Sequence, residues 1–404
     1  IPPDHPELIE ARRLGLPVQS FAELIGELTK TAHRLVVAGT HGKTTTTSLI
    51  TWLLEAAGRQ PDFMIGIQPH NFSSSVRLAR HRSGIELAAG RIAVIEGDEY
   101  RASRLDERSK FAFYRPDVLV LTSIELDHPD MFKSLDEIKQ RFADLVIGLP
   151  PDGRLYYWGE SAVVREVAGQ TSAGSMSYGL SKCTWQAHAV DYASGGIEFD
   201  LFREGDKLGR VSVPLYGQHN VLNTLAAVAV VMGEGLTLEQ VAAGLKRFKG
   251  ASRRFERVSA DGAVVTVIDD YAHHPTEVKT TIEAVRRHFN GHGPERSPRG
   301  RVITVFRPHT YSRTLALLRD YQAAFSGADQ AFIAEIEGAR EQSASSQVSG
   351  ADISGKAGDQ VSYQPDRQKL IEQVVASAEP GDTVLCMSVN GYDGLAQELA
   401  KRLG

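Results

Sequence analysis

Short apolar runs rich in β-branched residues recur along the chain, and most are followed by a stretch of helical periodicity. The first run, Leu35 to Ala38, stops at Gly39. Helical spacing then carries from Lys43 through Trp52, Leu53, Leu54 and Ala57 and ends at Gly58. Further strands are expected at Phe63–Ile67, Arg91–Glu96 and Asp117–Ser123, with a helix over about Leu135–Val146. This alternation predicts an α/β fold with a parallel, doubly wound sheet. From Arg154 to Val213 the pattern changes to short alternating strands such as Ile197–Phe202, which read as an antiparallel addition. Helices follow from Gly217 and over Thr237–Phe248. Ala251 to Phe255 marks a domain boundary, beyond which the α/β alternation restarts. Its strands are expected at Val264–Ile268, Arg301–Phe306, Gln330–Ala334 and Thr383–Met387. Its helices are expected at Thr276–His288, Thr314–Phe325, Arg367–Ser377 and Leu395–Leu403. Asn290–Gly300 and the Ser/Gly-rich Ser343–Gly358 read as loops. Before the first strand, a helix near Pro6–Leu14, a strand near Pro17–Val18 and a helix over Ser20–Leu28 are expected. Ser20 and Glu23 have the spacing of a capping box.

The turn between the first strand and the first long helix is the chemically richest stretch. It reads Gly39-Thr40-His41-Gly42-Lys43-Thr44-Thr45. Two glycines allow a sharp turn and close approach of an anion to the backbone. The helix start supplies free N–H groups, Lys43 a mobile cation, and Thr44 a hydroxyl suited to Mg²⁺. The spacing departs from the usual phosphate loop, since Val37 stands five residues before Gly42. Downstream, the strand ending at Glu96 delivers an acidic cluster, Glu96-Gly97-Asp98-Glu99. Carboxylates beside a phosphate site suit a hard divalent cation. The next strand leads into Asp127-His128-Pro129-Asp130. Ligands of open parallel sheets sit beyond the carboxyl ends of the strands, so these three segments are expected on one edge.

Composition narrows the classes. The 404 residues suggest two to three domains, and 42% hydrophobic with 24% charged residues is ordinary for a globular protein. A net charge of −5 argues against a nucleic-acid surface built on bulk charge. No apolar run reaches the roughly 18 residues of a membrane helix. Two distant cysteines, Cys183 and Cys386, make no disulfide framework and fit a reducing compartment.

The glycine–threonine loop resembles the ATP loop of the Mur ligases, which build the peptide of bacterial cell-wall precursors. The resemblance extends over nearly all of residues 15–404 and is strongest to the branch acting on UDP-N-acetylmuramate. It implies a central P-loop ATPase domain with a parallel sheet (33–251) and a Rossmann-like C-terminal domain for the amino acid or peptide (252–404). Residues 1–32 would be the remnant of an N-terminal UDP-binding domain that is otherwise absent.

The resemblance also implies site residues. Gly39, Thr40, Gly42, Lys43, Thr44 and Thr45 would cradle ATP phosphates, with Lys43, Glu96 and His128 catalytic and Thr44, Glu96 and His128 on Mg²⁺. His219-Asn220-Val221-Leu222-Asn223 is similar to a family motif in which Asn220 and Asn223 contact adenine. Arg254 would reach ATP, Asp270 the ribose and His273 the incoming amine, while His309 and Arg313 would bind the second substrate. The implied reaction is ATP-dependent amide formation in a bacterial cytoplasm, through an acyl phosphate on UDP-N-acetylmuramate. Arg307 to Thr314 is similar to ligases that use free L-alanine. Arg108–Phe111 and Met387–Leu395 are similar to ligases that use L-alanyl-γ-D-glutamyl-meso-diaminopimelate, and the tripeptide is the expected amine. A P-loop switch NTPase would account for the loop but leave the Asn220 and Arg313 motifs unexplained, and a non-catalytic nucleotide-binding module is the remoter alternative. Neither nucleic acid nor membrane insertion is expected.

Overall fold

The computed structural model describes residues 2–78, 90–192, 195–289, 300–339, 341 and 347–404. The chain divides into two compact units. The first comprises residues up to 189 with 199–212 and 222–249, and the second comprises 190–198, 213–221 and 250–404.

The strands of the first sheet and its flanking ribbon are β1 (His33–Ala38), β2 (Asp62–Met64), β3 (Val76–Arg77), β4 (Ile92–Gly97), β5 (Arg101–Ser103), β6 (Asp106–Ser109), β7 (Val118–Leu121), β8 (Arg154–Trp158), β9 (Gly174–Gly179), β10 (Trp185–Asp191), β11 (Ile197–Arg203) and β12 (Asp206–Val213). The sheet runs β12-β11-β10-β9-β8-β7-β1-β4-β2-β3, and β5 and β6 form a separate ribbon. At its centre β1 is parallel to both β4 and β7. Val36 and Val37 are wholly buried, as a strand covered on both faces requires. The following helix, Lys43–Ala56, buries Leu49, Ile50, Leu53 and Leu54.

The antiparallel reading of 154–213 is corrected at its start. Strands β8 and β9 extend the parallel sheet from β7, and β10 also pairs parallel to β9. The helix Ala162–Ala168, capped by Ser161, supplies the crossover that parallel neighbours need. No strand forms at 17–18, where the chain is irregular. The Ser20–Glu23 capping box is present, with both reciprocal bonds made.

The second sheet is built from β13 (Glu256–Arg257), β14 (Thr266–Asp270), β15 (Val302–Phe306), β16 (Gln330–Ile333), β17 (Val361–Tyr363) and β18 (Thr383–Met387), in the order β13-β14-β18-β15-β16-β17. All pairings but β13–β14 are parallel. Alternate residues serve opposite faces. Ile268, Val302, Phe306 and Leu385 join one core with the helix Pro275–Phe289, and Val267, Ile303, Val305 and Val384 join another with Arg367–Ser377 and Leu395–Leu403. The single helix expected at 314–325 is two, Tyr311–Ala316 and Leu318–Ala324. The segment read as a loop at 343–358 holds the short helix Gly350–Ser354. The loop expected at 290–300 lies, except for Gly300, outside the described residues.

Candidate active site

The loop after β1 is fastened from beneath. Thr40 N–H donates to Ser123 O at 2.8 Å, His41 N–H to Ser123 Oγ at 2.9 Å, and Thr122 Oγ1 donates to His41 O at 2.6 Å. Both glycines adopt positive φ, +137° at Gly39 and +80° at Gly42. A Cβ on Gly39 would come within 2.1 Å of Thr122 Oγ1, and one on Gly42 within 2.3 Å of Asn223 Oδ1. Only glycine fits either place. Asn223 is thereby put beside the glycine loop within the same unit. Thr45 is buried in the first turn of the helix.

Lys43 Nζ lies 2.8 Å from Glu99 Oε2 and also donates to Gly39 O (2.6 Å) and Thr40 O (3.0 Å). Burial works against the ammonium charge, but Glu99, Asp98 and Glu96 outweigh it and hold the lysine above its ordinary pKa. Burial pushes Glu99 upward even with Lys43 beside it. Glu96 is otherwise engaged. Its Oε1 accepts from Thr44 Oγ1 at 2.8 Å and its Oε2 from Gly66 N–H at 2.6 Å.

His128 sits in the left-handed region (φ +53°), with its N–H on Asp127 Oδ1 at 2.7 Å. Its ring Nε2 is 3.6 Å from Glu99 Oε1 and 3.7 Å from Asp127 Oδ2. Glu99, Asp127 and His128 can bring one ligand atom each within 4.8 Å of the others. The expected metal set was Thr44, Glu96 and His128. Thr44 and Glu96 are in contact, and Glu99 and Asp127 each bring a carboxylate oxygen within 3.7 Å of His128. Both were visible in sequence, as the last residue of the acidic cluster and as the neighbour of His128. Oxygen donors plus one imidazole suit a hard divalent cation.

In the second unit Asp270 is wholly committed to backbone. Its Oδ2 accepts from Phe255 N–H at 2.6 Å and its Oδ1 from Ala272 N–H at 2.7 Å. Burial pushes its pKa to about 6, against the pull of Arg254. Arg254 lies over the Tyr271 ring at 4.8 Å, with a buried Nε that has no hydrogen-bond partner among the described residues. His273 Nδ1 is 3.1 Å from Tyr271 O and 3.3 Å from Glu277 Oε2. Asn220 Nδ2 donates to Tyr216 O at 2.8 Å. Thr310 caps the helix that carries Arg313, which is only 4% exposed. His309 Nδ1 is 3.1 Å from Glu337 Oε2. The neighbour of Arg254, Arg253, was missed in sequence. It pairs with Asp269 at 3.2 Å and donates to Ser388 O and Val389 O. It thus ties the start of this unit to the loop after β18.

The profile of the Mur ligase middle domain matches residues 37–231, and that of the Mur ligase, glutamate ligase domain matches residues 253–390. The chain belongs to the Mur ligase family. It is therefore an ATP-dependent ligase that forms an amide bond. It is 36% identical over 408 aligned residues to a UDP-N-acetylmuramate–L-alanine ligase of Rubrobacter xylanophilus, covering all of this chain and 85% of that one. The solved UDP-N-acetylmuramate–alanine ligase of Thermotoga maritima superimposes with a TM-score of 0.75, covering 100% of this chain and 83% of that one. At 20% identity, that likeness speaks for the fold. The solved murein-tripeptide ligase of Neisseria meningitidis is 34% identical, with a TM-score of 0.56 over 63% of this chain and 78% of that one. Among the described residues no helix is long and apolar enough to cross a membrane.

Proposed function

We propose that this Mur ligase joins the carboxylate of UDP-N-acetylmuramate to the amine of free L-alanine, in the bacterial cytoplasm. The observation that carries the choice of amine is the whole-length likeness to a ligase of that name, together with the Arg307–Thr314 segment that presents His309 and Arg313. The sequence alone leaned to the tripeptide, through Arg108–Phe111 and Met387–Leu395. That second reading retains the Neisseria likeness in its favour.

In the proposed reaction the muramyl carboxylate attacks the γ-phosphorus of ATP, releasing ADP and leaving an acyl phosphate. The amine then adds to the acyl carbon, and phosphate leaves as the amide forms. Such chemistry rests on positioning and on neutralising phosphate charge. The N-terminal N–H groups of Lys43–Ala56 and the Lys43 ammonium meet the phosphates, and Lys43 exchanges its internal partners for them. Thr44, Glu96, Glu99, Asp127 and His128 are of the right chemistry to hold Mg²⁺, which would supply charge neutralisation on the transferring phosphoryl group. Arg254 offers a cation to the nucleotide. Arg313 suits a carboxylate on the amino acid.

Phosphate release from ATP, measured for the full-length protein with UDP-N-acetylmuramate and either L-alanine or the tripeptide, decides the amine. Release with L-alanine alone is expected. Release with the tripeptide alone would replace this reading with the second one. Release without any amine would replace both with a nucleotide switch.

A further inference from the structure

The sequence analysis set two segments against each other, Arg307–Thr314 on the L-alanine side and Met387–Leu395 on the tripeptide side. The second sheet brings them together. Strands β18, β15 and β16 are adjacent and parallel, so the loops at their carboxyl ends emerge side by side. Those loops carry Asn390, His309 and Glu337. Glu337 N–H donates to Pro308 O at 2.9 Å, which fixes its own loop against that of His309. The Glu337 carboxylate then spans both partners: Oε2 lies 3.1 Å from His309 Nδ1, and Oε1 accepts from Asn390 Nδ2.

We propose that Glu337 is the positioning residue of the amine subsite. The proposal rests on the functional reading above, in which His309 and Arg313 bind the incoming amino acid. An ionised carboxylate can only accept hydrogen bonds, so Nδ1 of His309 carries a proton, and in the neutral ring Nε2 is then the nitrogen that keeps its lone pair. Among the described residues Nε2 of His309 has no hydrogen-bond or ion-pair partner, and the His309 side chain is 22% exposed at the strand ends. An acceptor so held suits a primary amine or ammonium, which has N–H groups to donate. Arg313, one turn further along the same helix start, suits the carboxylate of the same amino acid. Glu337 also fixes which way the Asn390 amide points. One side chain thus coordinates the two segments that distinguish the candidate amines.

Glutamate is specifically suited because both of its partners are donors. A glutamine would offer one acceptor and one donor, so it could keep both bonds only by reversing the His309 tautomer or the Asn390 amide. The test compares wild type, Glu337→Gln, Glu337→Ala and Asn390→Ala in the full-length protein. The readouts are kcat and KM for ATP, UDP-N-acetylmuramate, L-alanine and the tripeptide, and the ¹⁵N chemical shifts of the His309 ring. The wild-type ring is expected in the Nδ1–H form. In both Glu337 variants the ring should lose that preference, and KM for the productive amine should rise tenfold or more, with KM for ATP within twofold. Asn390→Ala should raise amine KM while leaving the tautomer in place. An unchanged tautomer in Glu337→Ala, or an unchanged amine KM, overturns the proposal. A wild-type protein inactive with either amine overturns the functional reading, and with it the amine part of this proposal. The ring shifts then still decide whether Glu337 orients His309.

Discussion

Asn223 stands directly over Gly42: a methyl group on that glycine would fall 2.3 Å from Asn223 Oδ1. Gly42 also has φ +80°, where alanine is disfavoured by about 1–2 kcal/mol. Gly42→Ala should therefore fold with a small loss of stability and raise KM for ATP by about tenfold or more, since the loop must shift to clear the amide. Adding Asn223→Ala removes the collision and leaves the φ strain, so thermal stability should recover in part. Gly42→Ala with wild-type KM for ATP would show that the loop does not need this close approach.

Lys43 and Glu99 form a pair in which the carboxylate is 2% exposed. Lys43→Ala should lower kcat on the order of 10²–10³, the usual cost of removing one group that stabilises developing charge. It also strands Glu99 as a buried carboxylate, which costs stability on the order of 3 kcal/mol. Lys43→Ala/Glu99→Gln should regain much of that stability without regaining activity. Equal stability losses in the single and double variants, measured by urea unfolding, would refute the pairing argument.

The grouping of Glu99, Asp127 and His128 makes a metal prediction. Chelation should abolish ATP turnover, and added Mg²⁺ should restore it. His128→Ala should raise the Mg²⁺ concentration needed for half-maximal turnover by about tenfold, as removal of groups that hold or orient a metal commonly does. An unchanged Mg²⁺ titration in His128→Ala would place the ion elsewhere.

Gly217 N–H donates to His288 Nε2 at 3.2 Å, so this nitrogen must stay unprotonated in the fold. Burial beside Tyr216 and Tyr192 pushes the His288 pKa down to about 4, with Arg287 adding to the effect. The unfolded chain takes up the proton near 6.5, so between 6.5 and about 4 it binds more protons than the folded one. Stability is therefore retained above pH 6.5 and lost as pH falls through that window. The group is partly reached by solvent, which limits the loss to about 1–2 kcal/mol. Asp270, with its pKa raised to about 6, acts with the opposite sign: its contribution is present below the usual carboxylate range and is lost as pH rises toward 6. The clean measurement is the difference in urea unfolding free energy between wild type and His288→Gln, which should shrink or change sign from pH 7 to pH 4.5. A pH-independent difference would sink the assignment.

Local physics made the frame legible in the chain itself. Strand β1, its glycine turn and the helix Lys43–Ala56 follow from a β-branched run, two glycines and helical periodicity, all within one short stretch. The Ser20–Glu23 cap is equally local, because both of its bonds join residues three apart. The parallel continuation into β8 and β9 was not legible, because the direction of a short strand depends on which neighbour it meets and by what crossover. The same holds for the chemistry. Residue types named Lys43 and Glu96 as candidates, and the family resemblance added His128, His309 and Arg313. Only the folded sheet decided that Lys43 pairs with Glu99, that Asp270 serves the backbone, and that Glu337 reaches both His309 and Asn390. Apart from the Asp270–Ala272 bond, those contacts join residues 15 to 56 positions apart in the chain. Pairings over such distances are set by strand order and register, which no local pattern encodes.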